Sequence, residues 1–115
     1  MINEKIGGGA GTATLGANIV KVWSGESPIW SKVGNVVTVN SGLLKTTAEI
    51  ATNGVVLSGL PKSKQNTRFI SSKGIGTAAA TQMFSINGTT VTVAENGTLP
   101  SGTYFALCFS YIAAE

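Results

Sequence analysis

The sequence predicts an all-β domain of antiparallel strands. Short runs rich in Val, Ile, Thr and aromatic residues recur along it. Gly, Asn, Ser and Pro separate these runs at the spacing of turns, and no segment carries a helical apolar stripe. At 115 residues the chain fits one domain with one hydrophobic core.

The first seventeen residues, 1–17, hold five glycines and little periodicity, and are expected to form a flexible arm or linker. The folded domain is expected over 18–115. Its strands are placed at 18–23, 29–33, 35–40, 43–50, 55–57, 67–71, 81–87, 90–94 and 103–113. In Val37-Thr38-Val39-Asn40 and Val91-Thr92-Val93, apolar and polar residues alternate, so these strands bury one face and wet the other. Between 81–87 and 90–94, Asn87-Gly88 suits a tight type I′ hairpin with two positive φ angles. Asn96-Gly97, Gly34-Asn35 and Asn53-Gly54 turn the chain in the same manner. Asn87-Gly-Thr89 and Asn96-Gly-Thr98 also match the N-glycosylation acceptor, but no secretion signal accompanies them and the turn explains both. Short strands at regular spacing with intervening turns argue for an antiparallel β-sandwich or jelly roll.

The last run, Tyr104 to Ile112, is apolar at nearly every position, so it is expected to lie centrally or to have its second face covered by another subunit. Leu107, Phe109 and Tyr111 are the expected contacts between subunits. Composition points the same way. With 43% hydrophobic and only 11% charged residues, a homo-oligomer explains the chain better than a freely solvated monomer. Cys108, in the same run, has no partner for an internal disulfide and is expected to pack as a small buried hydrophobe.

The residue inventory removes most catalytic chemistry. There is no His, which excludes Ser-His-acid and Cys-His arrangements and every imidazole metal site. There is no Asp, and the five Glu lie apart at 4, 26, 49, 95 and 115, so neither a metal cage nor a carboxylate pair is expected. No enzyme, no cofactor and no metal follow as expectations. The Gly7–Thr12 stretch lacks the Lys-Ser/Thr ending and the strand-to-helix context of a phosphate loop. The net charge of +3 is scattered, which does not suit nucleic acid, and no run of about 20 apolar residues would cross a bilayer.

Two groups of residues are candidates for binding. Trp23 and Trp30 either fill the core, the commoner role, or present platforms for stacking against sugar rings. The polar stretch from Pro61 to Arg68 is a surface loop, and its Lys62, Lys64, Gln65, Asn66 and Arg68 can hydrogen-bond a carbohydrate or anionic polymer if it is more than a solvated loop.

Three stretches carry a family likeness: Trp30-Ser-Lys-Val-Gly-Asn-Val-Val-Thr-Val39, Leu57-Ser-Gly-Leu-Pro61, and Leu99-Pro-Ser-Gly-Thr-Tyr-Phe105 running into Phe109-Ser-Tyr111. Together, over residues 28–113, they resemble the C-terminal head domains of bacteriophage tail-fibre and baseplate receptor-binding proteins. The resemblance implies a homotrimer of β-sandwich heads on a stalk, made in the bacterial cytoplasm and carried on the virion. It implies attachment to bacterial surface saccharide and contact with other tail proteins. It assigns no binding residue. Almost nothing precedes the head, so the shaft is expected in a longer parent chain or a separate protein. A structural tail or baseplate domain that binds no glycan is the alternative.

Overall fold

A computed structural model describes residues 9–94 and 97–114. Every regular element among them is a strand, ten in all: β1 (Gly9–Thr12), β2 (Thr14–Leu15), β3 (Ile19–Lys21), β4 (Ile29–Val33), β5 (Val36–Thr46), β6 (Val55–Ser58), β7 (Thr67–Ile75), β8 (Ala78–Asn87), β9 (Thr90–Val93) and β10 (Thr103–Ile112). All pairings between them are antiparallel.

The strands form one hydrogen-bonded path, β1-β4-β5-β10-β7-β8-β9-β6-β2, with β3 beside β4 on β5. Its two ends, β1 and β2, are separated by Ala13 alone. The segment from Gly9 to Gly16 therefore leaves one edge of the sheet and joins the other. Ala13 donates its N–H to Pro28 O at 2.8 Å, and Gly16 donates to Val56 O at 2.9 Å. The result is a nearly closed barrel, which leaves few unpaired strand edges.

From residue 9 onward, then, the stretch expected to be a linker is part of the fold; residues 1–8 lie outside the described residues. Its glycines serve close approach. A Cβ on Gly16 would stand 2.1 Å from Val55 O, so no other residue fits where this segment meets β6.

Three hairpins share one turn chemistry. β4–β5 turns through Gly34-Asn35, β7–β8 through Gly76-Thr77 and β8–β9 through Gly88-Thr89. In each the glycine has positive φ, 58°, 60° and 60°, and the residue after it does not. That is the Gly-X pattern of a type II′ turn. The β8–β9 hairpin thus forms where the sequence places it, but Asn87 pairs with Thr90 as the last strand residue and Gly88 is the first turn residue. Asn96, of another expected Asn-Gly turn, lies outside the described residues.

β5 is one strand where two are expected. Gly42, with φ +70°, bends it without ending it, and the register against β10 shifts between Ala106 and Cys108. At this bulge the buried Ser41 hydroxyl accepts the Leu107 N–H at 2.8 Å and donates to Gly42 O at 2.7 Å.

β10 lies between β5 and β7, and its side chains alternate strictly. Thr103, Phe105, Leu107, Phe109 and Tyr111 point into the core, while Tyr104, Ala106, Cys108, Ser110 and Ile112 point out. This corrects two expectations. Leu107, Phe109 and Tyr111, exposed by only 0, 9 and 4%, fill the protein's own interior and offer no side chain to a second subunit. Cys108 is exposed. With both residue sets of the strand apolar, composition does not reveal which one faces inward; the bulky aromatic set takes the interior because it fills more volume.

Those aromatics form a continuous row. Ring centroids are 5.8 Å apart from Phe105 to Phe84, 5.7 Å from Phe84 to Phe69, 4.0 Å from Phe69 to Phe109 and 5.9 Å from Phe109 to Tyr111. Val37, Val39, Leu44, Val56, Leu57, Ile86, Val91 and Leu99 pack with the row to complete the core.

Candidate functional site

The polar loop 61–66 between β6 and β7 is held from both sides. Ser63 N–H donates to Gly88 O at 2.8 Å, tying it to the β8–β9 turn. On the other side Lys64 N–H donates to Ile112 O at 2.8 Å, Ala114 N–H to Lys62 O at 2.8 Å, and the Tyr111 hydroxyl to Pro61 O at 2.6 Å. Burial pushes the Tyr111 phenol up to about 12, so it stays a neutral donor to that carbonyl. Anchored by these bonds, the loop exposes Lys62, Lys64, Gln65 and Asn66.

Between this loop and the ends of β5 and β10 lies a groove of about 530 Å³, lined by Val36, Lys64, Gln65, Thr67, Ser110, Tyr111 and Ile112. Of the loop residues singled out from sequence, Lys64 and Gln65 line it. Lys62 and Asn66 sit on the same loop outside the lining, and Arg68 is exposed on β7.

Trp30 and Trp23 are elsewhere. Trp30 is half-buried, packed against the core and lying over β1. It lines a second groove of about 460 Å³ with Gly11, Thr12, Ile29, Ser31, Thr38 and Asn40. Trp23 is 62% exposed, against the expectation of burial. It opens a turn that Glu26 N–H closes on Trp23 O at 3.1 Å, and it lines neither groove. The far half of that turn, Gly25 to Ser27, walls a third hollow of about 320 Å³ that shares Ile29 and Asn40 with the second.

All three hollows open onto the outer face of β4, β5 and β10, which the loop-centred sequence search missed. Register sets its side chains in rows: Val33, Val36 and Ile112; then Ser31, Thr38 and Ser110; then Ile29, Asn40 and Cys108. None of the nine is charged. Thr38 and Ser110 share a hydrogen bond at 3.2 Å between their hydroxyls, in the middle of the face. Asn40 Oδ1 accepts from Gly42 N–H at 3.0 Å, which commits the oxygen to the backbone and leaves the amide NH₂ of this exposed residue as a donor. Glu26 Oε1 accepts from Leu43 N–H at 3.0 Å and fixes the carboxylate at the far end. The alternation in Val37-Thr38-Val39-Asn40 already signals that Thr38 and Asn40 face outward; that Ser110 lies beside Thr38 depends on the pairing of strands 72 residues apart.

Such a surface offers hydroxyl and amide hydrogen bonds next to apolar patches, with Lys64 at its rim. Among the described residues no three His, Cys, Asp or Glu come together, and no helix is long and apolar enough to cross a membrane. No family model, no curated protein and no solved structure matches the chain.

Proposed function

We propose that the chain is a receptor-binding head of a bacteriophage or prophage tail fibre or baseplate, attaching the virion to saccharide on the bacterial surface. It acts by binding, without catalysis. The observation that carries this reading is the groove lined by polar Lys64, Gln65, Thr67 and Ser110 and by apolar Val36 and Ile112, beside a loop anchored by backbone hydrogen bonds to the β8–β9 turn and to the end of β10. Hydroxyl, amide and ammonium donors beside aliphatic carbon match the alternation of hydroxyls and C–H faces on a sugar. The barrel's facing walls make a compact sandwich-like or jelly-roll-like head. Three such heads in a homotrimer, made in the bacterial cytoplasm and joined to other tail proteins, turn weak single sites into useful avidity.

The test is a glycan array of bacterial surface saccharides together with binding to whole cells, run on the wild type and on the Lys64→Ala/Gln65→Ala pair. Binding by the wild type that the pair loses supports the reading. A wild type inert across the panel overturns it.

The second reading, a structural domain of the tail or baseplate, is favoured by the exposed row Val33, Val36 and Ile112, whose apolar side chains suit contact with another virion protein. Loss of incorporation into particles on Val33→Ser/Ile112→Ser, with glycan binding absent throughout, would select it.

A further inference from the structure

We infer that the ligand is a linear saccharide chain lying lengthwise along the outer face of β5, from the Lys64–Gln65 groove to the Asn40–Glu26 hollow, and not a single terminal sugar held in one groove. This rests on the saccharide-binding reading and extends it to the length and course of the ligand.

Val36, Thr38 and Asn40 lie two residues apart on one strand and face the same way. Successive rows are therefore about 7 Å apart, and the strip from Val36 to Asn40 runs about 13 Å. The Lys64–Gln65 groove includes Val36 and Ser110. The second groove includes Thr38 and Asn40. The Thr38–Ser110 hydroxyl pair stands between them, so the two hollows are halves of one track.

The chemistry along the track selects the occupant. Among the described residues, no ionised side chain lines it between Lys64 and Glu26. A nucleic acid would leave its phosphates without counter-charges there. A second copy of this chain, packed face to face, would take the hydroxyl row of Ser31, Thr38 and Ser110 out of water against the same row, with hydrogen bonds only where the two registers bring hydroxyls opposite each other. A weakly charged polyhydroxyl chain meets donors and acceptors at the Ser31–Thr38–Ser110 row and at Asn40, and aliphatic carbon at Val36, Ile112 and Ile29.

Cys108 is a built-in reporter. It pairs in register with Asn40 on the same face, and its thiol is exposed. A ligand confined to the Lys64–Gln65 groove leaves it open, whereas one that crosses from Ser110 to Asn40 passes beside it.

The experiment measures affinity by calorimetry for size-fractionated oligosaccharides released from the surface polysaccharide that the glycan array selects. Thiol-reagent labelling of Cys108 is followed in the same series. Affinity is expected to rise roughly tenfold, a gain of about 1.4 kcal/mol, from the shortest fragments to those spanning the track, and then level off. Long fragments slow Cys108 labelling and short ones do not. Asn40→Ala and Thr38→Val, both exposed positions with circular dichroism as the folding check, remove the gain with length and leave short-fragment affinity in place. Affinity independent of length, or silent Asn40 and Thr38 variants beside a Gln65→Ala variant that loses binding, overturns the lengthwise course and leaves the saccharide reading standing. If no fragment or array saccharide binds, the saccharide reading itself falls. If instead light scattering gives an oligomer that Thr38→Lys dissociates, a second copy occupies the face and the inference is overturned.

Discussion

Trp30 lies on the backbone of Gly11 so closely that a Cβ at residue 11 would stand 2.8 Å from the indole ring. The glycine is a packing surface, and the pair holds β1 against β4 at the seam where the barrel closes. Gly11→Ala is therefore expected to cost about 1–3 kcal/mol through overpacking and to shift Trp fluorescence as the ring is displaced. Gly9→Ala is the control, because its Cβ would meet the same ring at 3.9 Å, an ordinary contact. Equal denaturation midpoints for the two variants would contradict the packing.

Gly88 has φ +60° and open space around the position of a Cβ, so a side chain there meets backbone strain and no steric clash. Gly88→Val is expected to lower stability by about 1–2 kcal/mol, and Gly88→Asn by clearly less, since Asn tolerates positive φ. Urea midpoints at constant slope measure this difference. Equal losses would place the cost elsewhere than in φ.

The Ser41 hydroxyl is the hydrogen-bond acceptor for Leu107 N–H at the β5 bulge. Ser41→Ala leaves that buried donor unpaired and is expected to cost about 1–3 kcal/mol, while Ser41→Thr keeps the hydroxyl and recovers part of the loss. The ordering of thermal midpoints, wild type above Thr above Ala, is the observable.

Leu107 and Cys108 are neighbours in sequence and face opposite ways. Leu107→Glu buries a charge in the core and should abolish the native circular dichroism. Cys108→Ser should change stability by less than about 0.5 kcal/mol, and the Cys108 thiol should label completely without unfolding. Slow labelling of the native ligand-free protein would mean that its outer face is covered.

Tyr111 sets an alkaline limit. Its phenol ionises near 10 when the chain is unfolded and near 12 when it is folded, so the folded state holds the proton longer. The group's contribution is intact below pH 10 and is lost as pH rises toward 12. Tyr111→Phe costs about 0.5–1.5 kcal/mol at neutral pH through the lost bond to Pro61 O, and its stability declines less steeply above pH 10 than that of the wild type. Parallel slopes for the two proteins would refute the assignment.

Local chemistry was legible in the chain itself. Period-two alternation around Val37 to Asn40 marks a half-buried strand, and Gly34-Asn35 and Asn87-Gly88 mark two of the hairpins, because both signals depend on a few neighbouring residues, whereas the turn at Gly76-Thr77 carries no such pair and was not expected. The turn type was not legible. Asn87-Gly88 admits two registers one residue apart, and only the pairing of Asn87 with Thr90 selects between them. For Tyr104 to Ile112 the parity of the strand was hidden for a related reason: both sets of side chains are largely apolar, and the choice rests on which set packs against Phe84 and Phe69. A one-residue difference there moved Leu107, Phe109 and Tyr111 from an expected subunit contact into the core.

The Gly-rich segment and the binding face belong wholly to tertiary structure. Gly11 and Gly16 read as linker residues until Trp30 and Val55, from distant parts of the chain, are brought within contact of their backbone. The loop's Lys64 and Gln65 were visible as polar surface residues, but the groove they line also needs Val36 and Ser110 from strands far away in sequence. Composition and periodicity report what each residue does with its near neighbours. Barrel closure and the track along β5 arise from long-range register, in which the identity of the partner decides whether a residue is spacer, core or surface.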